Sequence, residues 1–388
     1  MLGSLASLAG AVITVSPASA LVDRSVDVRV VGLPARAPVT LTASTVDYAG
    51  NAWTSRVTFR SNRRGVVDTH SDMRLFWSMQ PRKESLAKSS FLPADGPRPV
   101  AITADVRGRT VATGELTRRL RAADVTQTET TLAHEGFVGS YYAAPPRRPA
   151  AALMVIGGSV GGHGEGLSGL LASRGHPTLS LGYFGEPGLP RDLHSIPLEY
   201  FAKALRWLAV RPGVDPGRIV VMGVSRGGEA ALLLGATFPE LVHGVVSCDG
   251  SWQVLGAFSS SSNIAGPAWT YGGKAVPYGA IPVERIAAPL LAFGAGDDAV
   301  WDSKESVRRI VARARAYGRR DVVGRVYPNA GHGAGCLLPN VPHPGWLTSP
   351  ATATRGSISM QLGGTPEGNA RAADASWPML LSFLDAVP

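Results

Sequence analysis

The feature that most constrains this chain is a rhythm that begins after about residue 121. Short, almost wholly apolar runs at 150–156, 177–181, 218–222, 242–247, 289–293 and 322–327 alternate with stretches of helical spacing at 166–174, 197–209, 228–237, 303–317 and 373–384. A strand without polar alternation is buried on both faces, and a helix between two such strands makes their pairing parallel. The expectation is an α/β fold around a mostly parallel sheet, with strand-like segments at 125–132 and 136–142 leading into it. Residues 250–287 break the rhythm with Ser, Gly and Pro, as a lid-like insert would.

The pattern before residue 121 is different. Val26, Val28 and Val30 alternate with Asp27 and Arg29, the period-2 mark of a half-buried strand. Gly32-Leu33-Pro34 then supplies a turn before the alternation resumes at 39–43, and 57–59 and 100–106 read as further strands. These short strands and turns point to an all-β, immunoglobulin-like sandwich. The expected organisation is therefore a sandwich domain over 1–121, with 1–12 as a flexible extension, and a second domain over 122–388.

Composition narrows the partners only partly. Lys+Arg number 38 against 29 Asp+Glu, a net charge of +9, which suits a nucleic acid, an anionic membrane or a phosphate-bearing small molecule alike. Two cysteines, Cys248 and Cys336, exclude a disulfide scaffold and a four-thiolate zinc site; they read as a buried thiol and a loop thiol. Residues 1–22 carry no charge and include Ala18-Ser19-Ala20, a cleavage-like triplet, but no Lys or Arg precedes the apolar stretch. That stretch is too mixed to span a bilayer, and Ile13-Thr14-Val15 reads instead as a first strand. A cytoplasmic protein without a membrane span is expected.

The chemistry lies in the second half. Gly223-Val224-Ser225-Arg226-Gly227 fits G-x-S-x-G, the sharp strand-to-helix turn that lifts a serine hydroxyl above a sheet. The bare pattern is weak, with about half a match expected by chance in so Gly- and Ser-rich a chain. A second match, Gly157-Gly158-Ser159-Val160-Gly161, does occur. Context separates the two. Ser225 stands between an apolar strand and a helical run, whereas Ser159 is followed by Gly161, Gly162 and Gly164, which do not start a stable helix. Ser225 is the expected nucleophile.

In this fold the acid and base follow the serine in chain order. Asp297 and Asp298 come just after the 289–293 strand; Asp298 is the leading acid, Asp297 its near rival, and Asp249 a third. His332, in Asn329-Ala330-Gly331-His332-Gly333 after the next strand, is the expected base. The Arg226 amide and the loop Gly157-Gly158-Ser159 are the expected oxyanion donors, with Gly158 and Ser159 the residues concerned. Neither a cofactor nor a metal is called for.

With those residues placed, the whole chain from about residue 13 resembles the acyl-CoA thioesterase and bile acid-CoA:amino acid N-acyltransferase family. The resemblance rests on Leu75-Phe76-Trp77-Ser78-Met79-Gln80-Pro81 and on Val31-Gly32-Leu33-Pro34 with Pro38-Val39-Thr40-Leu41 in the first half. In the second half it rests on the elbow with Gly228-Glu229, on Ile281-Pro282-Val283-Glu284-Arg285, on Asp297-Asp298 with Trp301 and Ser303, on Gly331-His332, and on Gly363-Gly364-Thr365-Pro366-Glu367 before Trp377. The family implies a β-sandwich followed by an α/β-hydrolase domain, with the second aspartate matching its acid. Its thioesterases carry serine at the elbow and its conjugating acyltransferase carries cysteine. An acyl-CoA or carrier-bound acyl thioester is thus the implied substrate, released to water or passed to an amine, amino acid or alcohol; no nucleic-acid partner is implied. Two departures bear on the acyl pocket: the lid region between Asp249 and Ile281 is shorter than in the animal enzymes, and Gly333-Ala334-Gly335-Cys336 follows the histidine where they carry bulkier residues. No peroxisomal address stands at Asp385-Ala386-Val387-Pro388.

Overall fold

The computed structural model describes residues 10–388 apart from 48, 83–90, 92–95, 147, 164–165, 344–345 and 351–356, so most of the expected extension 1–12 lies outside the described residues. The chain forms two compact units, one running to Leu120 and including 338–343, the other holding 121–337 and the residues from 344 onward. The short segment 338–343, expected within the second domain, clusters with the first unit.

The first unit is built from two sheets. Three strands lie in the order Val12–Ser16, Asp27–Val31, Val67–Asp68; six lie in the order Ser19–Leu21, Arg109–Arg119, Arg98–Val106, Pro38–Val46, Ala52–Arg60, Gln80–Pro81. Alternation decides which face is inward: Val28 and Val30 from the first sheet share a core with Leu41, Ile102 and Leu116 from the second. Each such side chain removed from water contributes about 1.5–3 kcal/mol. Trp53 is buried there, and its ring nitrogen donates to Asp47 Oδ2 at 3.0 Å, which satisfies its one polar atom.

The second unit carries an eight-stranded sheet. Its strands are β1 Thr126–Thr130, β2 Val138–Ala143, β3 Ala150–Ile156, β4 Thr178–Gly182, β5 Val214–Val224, β6 Gly244–Cys248, β7 Leu290–Ala295 and β8 Val322–Tyr327. Spatial order is β1-β2-β4-β3-β5-β6-β7-β8. β1 and β2 pair antiparallel with each other and β2 with β4; every other pairing is parallel. Every residue of β4, β6 and β7 is buried, as two-sided coverage by helices requires. This is the α/β-hydrolase order, so the expected fold class holds.

Among the described residues five helices cover the sheet: α1 Gly166–Ser173, α2 Leu198–Ala209, α3 Arg226–Thr237, α4 Ser303–Ala316 and α5 Pro366–Ala386. α2 buries Phe201, Leu205 and Leu208 and leaves Lys203 and Arg206 exposed. α4 is capped by Asp302, whose carboxylate accepts the Glu305 amide at 2.8 Å. α5 starts seven residues before the expected 373: Thr365 caps it by accepting the Gly368 amide at 2.9 Å and Pro366 pre-sets its first turn, which outweighs the helix-weakening Gly368. The 250–287 stretch is no bare loop. It contains short strands at Gln253–Val254, Trp269–Tyr271, Lys274–Ala275 and Gly279–Ala280, and Trp269 is fully buried.

Candidate active site

The candidate site residues stand at or just beyond the ends of β3, β5, β6, β7 and β8. β5 stops at Val224 and α3 begins at Arg226, leaving Ser225 alone in the turn with φ 60° and ψ −120°. A non-glycine residue there is strained, and the elbow tolerates it because Gly223 and Gly227, two residues to either side, let strand and helix approach closely. A Cβ on Gly223 would strike the Gly227 carbonyl, and one on Gly227 would strike the carbonyls of Ile156 and Gly157. Ser225 is also tied to the next strand, donating its amide to Cys248 O at 2.8 Å.

His332 sits in the turn after β8. Its Nδ1 lies 2.8 Å from Asp298 Oδ2, and both side chains are nearly buried, 6% and 1% exposed. Asp298 is held in turn by the amides of Val300 at 2.8 Å and Trp301 at 3.2 Å on its other oxygen. Trp301 stands edge-on to the imidazole with centroids 4.9 Å apart. A carboxylate facing Nδ1 places the ring proton there and leaves a bare lone pair on Nε2, the form a general base needs. That Nε2 is buried and has no hydrogen-bond partner. Ser225 Oγ does not hydrogen-bond to it in this structure; such contacts often tighten only when substrate is bound.

Of the three candidate acids, geometry brings Asp298 to the imidazole. Asp297 is exposed, and its amide donates to Ala330 O at 2.9 Å. Asp249, at the end of β6, accepts the amide of Gly333, the residue after His332, at 2.8 Å. Burial, reinforced by the nearby Asp298 charge, pushes the Asp249 carboxyl up to about 6 against the pull of His332. It is therefore a second carboxyl group holding the histidine turn.

The cysteine expectation is corrected. Cys248 and Cys336 are joined in a disulfide with Cα atoms 6.0 Å apart, so neither is a free thiol. The parallel sheet brings the end of β6 beside the turn that follows His332, a proximity invisible across a separation of 88 residues.

The loop after β3 lies against the elbow. A Cβ on Gly158 would stand 3.1 Å from Ser225 Cβ and 3.5 Å from its Oγ. Among the described residues, the amides of Gly158 and Arg226 donate to no protein acceptor and remain available. Ser159 follows in the same turn, half-buried. The loop's far end shows a look-alike catalytic set: Ser140 Oγ is 3.0 Å from His163 Nε2, and His163 Nδ1 is 3.0 Å from Glu186 Oε1. Ser140 is wholly buried and donates its only proton to Glu129, 2.8 and 2.9 Å away, so it offers no nucleophile. The set instead ties the loop to β1 and β2.

Sequence reasoning also missed the support beneath the elbow. The Arg226 side chain is buried and pairs with Glu229 at 2.7 Å, where the two side chains are 5% and 0% exposed. Glu229 further accepts from Trp269 Nε1 at 2.7 Å and the Leu255 amide at 2.9 Å, and Arg226 donates to Gly256 O at 2.9 Å and Leu255 O at 3.2 Å. Burial pushes the Glu229 carboxyl up while the guanidinium pulls it down. The i, i+3 spacing on α3 was the available signal for this pair.

Against known families, the profile described as the acyl-CoA thioester hydrolase/BAAT N-terminal region matches residues 23–131. The profile for the BAAT/acyl-CoA thioester hydrolase C terminal matches 196–263 and 271–387. The chain belongs to this family. Its break at 264–270 falls inside the insert. Relatives of this family member include acyl-coenzyme A amino acid N-acyltransferase 2 of Rattus norvegicus, 26% identical over 95% of this chain and 96% of that protein. They also include acyl-coenzyme A thioesterase 1 of Homo sapiens, 25% identical over 93% of both chains. Bile acid-CoA:amino acid N-acyltransferase of Mus musculus is 26% identical over 96% of both. Among the described residues no helix is long and apolar enough to cross a membrane.

Proposed function

We propose that this protein hydrolyses acyl-CoA, or another pantetheine thioester, through an acyl-enzyme on Ser225. The observation that carries the reading is the His332–Asp298 contact of 2.8 Å with Nε2 left free, on the same sheet edge as a strained serine elbow. In this scheme Nε2 takes the Ser225 proton as Oγ bonds to the acyl carbon. The oxyanion is met by the amides of Arg226 and Gly158, with Ser159 as a third candidate donor. The C–S bond then breaks, and the imidazolium returns its proton to the leaving sulfur. Water repeats the sequence, with His332 again as base, and frees the acid and Ser225. Asp298 stabilises the imidazolium in both halves.

The names of the relatives favour a second reading in parallel, transfer of the same acyl group to an amine or amino acid. Incubation with CoA thioesters of graded chain length and a thiol reagent tests the first reading, and the same mixture with glycine or taurine, searched for an amide by mass, tests the second. If no thioester releases CoA, both fall. The expected cytoplasmic setting does not fit the Cys248–Cys336 disulfide, since the cytoplasm keeps thiols reduced, so the reading carries no cytoplasmic location.

A further inference from the structure

We infer that Tyr183 is a positioning residue for the oxyanion hole: its hydroxyl holds the Gly157 carbonyl and thereby turns the Gly158 N–H toward Ser225. The inference rests on the proposed Ser225 chemistry and adds a residue to it. Tyr183 lies just past the end of β4, 1% exposed, with its ring against Phe184, Phe201 and Trp269 at centroid distances of 4.9, 5.4 and 5.8 Å. Burial among these groups raises the phenol and keeps it protonated, hence a donor. Its hydroxyl is 2.9 Å from Gly157 O and 3.3 Å from Gly158 O.

The step from carbonyl to amide is covalent geometry. The 157–158 peptide is trans, and in a trans plane the C=O of one residue and the N–H of the next point in opposite directions. Fixing the Gly157 carbonyl on Tyr183 therefore fixes the Gly158 N–H on the opposite side. Gly158 is the loop residue pressed against Ser225, and its amide is unspent. Two adjacent glycines leave this plane free to rotate, so the loop does not hold the orientation by itself. The loop's other anchors, the Gly162 amide on Phe184 O at 3.1 Å and His163 between Ser140 and Glu186, act four and five residues further on and do not touch this plane. Residues 132–195 lie outside both family profiles, so the argument stands on geometry alone.

Tyr183→Phe removes the hydroxyl and keeps the ring packing. Losing one oxyanion donor outright typically costs about 10²–10³ in rate. A donor set free to rotate is expected to cost about 10–100-fold in kcat, with KM within about two-fold. Affinity for a trifluoromethyl ketone, which forms a tetrahedral adduct, should fall by the same factor as kcat, while affinity for an uncleavable thioether substrate analogue stays unchanged. A merely structural role would not split these readouts. Fluorophosphonate labelling separates this inference from its foundation. If the unaltered protein is labelled at Ser225 and Tyr183→Phe is labelled as fast, with full kcat and unchanged ketone affinity, the role assigned to Tyr183 is wrong and the nucleophile stands. If the unaltered protein is not labelled at Ser225, the nucleophile reading falls and takes this inference with it.

Discussion

Reducing the Cys248–Cys336 bond should destabilise the second unit by an amount its loop length dictates. The bond closes a loop with a sequence separation of 88. Chain-entropy arguments give about 15 cal/mol/K for freeing a loop of that size, or about 4–5 kcal/mol at 25 °C. For a unit larger than 200 residues, 1 kcal/mol moves the melting temperature by about 2–4 °C, so a fall of about 10–15 °C is expected. Cys248→Ser with Cys336→Ser should reproduce it without reductant. Activity at 25 °C should fall less than ten-fold. The His332 turn remains held by its amide on Leu362 O at 2.7 Å and by Asp249 on the Gly333 amide at 2.8 Å. Differential scanning calorimetry with and without reductant reads the shift, and alkylation of the unfolded, unreduced chain reads the bond. Uptake of two alkyl groups before reduction would refute the bridge; a confirmed bridge whose loss moves melting by under 2 °C would refute the loop argument.

The site makes further commitments. Asp298→Asn should lower kcat by about 10²–10⁴, because Nδ1 then loses its negative partner, while Asp297→Asn should run near full rate; the reverse pattern in steady-state assays would move the acid. Ser225→Ala should abolish acyl-enzyme detected by mass. Glu229→Ala leaves the Arg226 guanidinium buried beside an empty site and should cost about 3–5 kcal/mol in urea unfolding; a loss under 1 kcal/mol would contradict that. Asp249 has a raised folded pKa of about 6, so the folded state binds its proton more tightly than the unfolded chain does. Its ionisation therefore costs stability progressively as pH rises from about 4 to 6, with the full cost present above 6. Asp249→Asn still accepts the Gly333 amide, and its stability relative to the parent should improve by about 2–3 kcal/mol between pH 4 and pH 7. A pH-independent difference would exclude Asp249 as the source.

How much of this was readable in advance follows from which interactions are local. Ser225 and His332 could be singled out as candidates because each lies in a glycine-bounded turn directly after a strand, and the hydrolase topology aims such turns at one edge. Asp298 could be ranked ahead of Asp297 but not to its exclusion, since adjacent residues in a turn differ in direction only through backbone angles that composition does not encode. The disulfide was illegible because its partners meet only when β6 and the turn beyond β8 lie on one edge. Tyr183 carried no signal either: a tyrosine after an apolar strand reads as core, and only the approach of Gly157 to its hydroxyl distinguishes it. The first turns of α5 fell outside the helical spacing at 373–384, although Thr365-Pro366 was a legible cap.

The choice between water and an amine turns on what else surrounds the acyl-enzyme. Both acceptors need the same base, so His332 and Asp298 do not discriminate between them. An amino acid acceptor carries an anion, a carboxylate or sulfonate, and must be bound to compete with water; binding it beside the nucleophile calls for a cation with donors to spare. Arg226 is the cation nearest Ser225 in sequence, but three of its five N–H donors are spent on Glu229, Leu255 and Gly256 and its side chain is only 5% exposed, out of reach of an incoming acceptor. Its charge is cancelled in a pair that excludes solvent. That arrangement makes Arg226 a brace for the insert and leaves it unfit as an acceptor clamp, which tilts the proposed reaction toward hydrolysis. The same reasoning yields a reversal experiment. Glu229→Gln frees one Arg226 donor and its charge, so if any amide forms with glycine or taurine it should rise in this variant; an unmodified protein that already makes amide faster than acid would show that the acceptor is held by other residues.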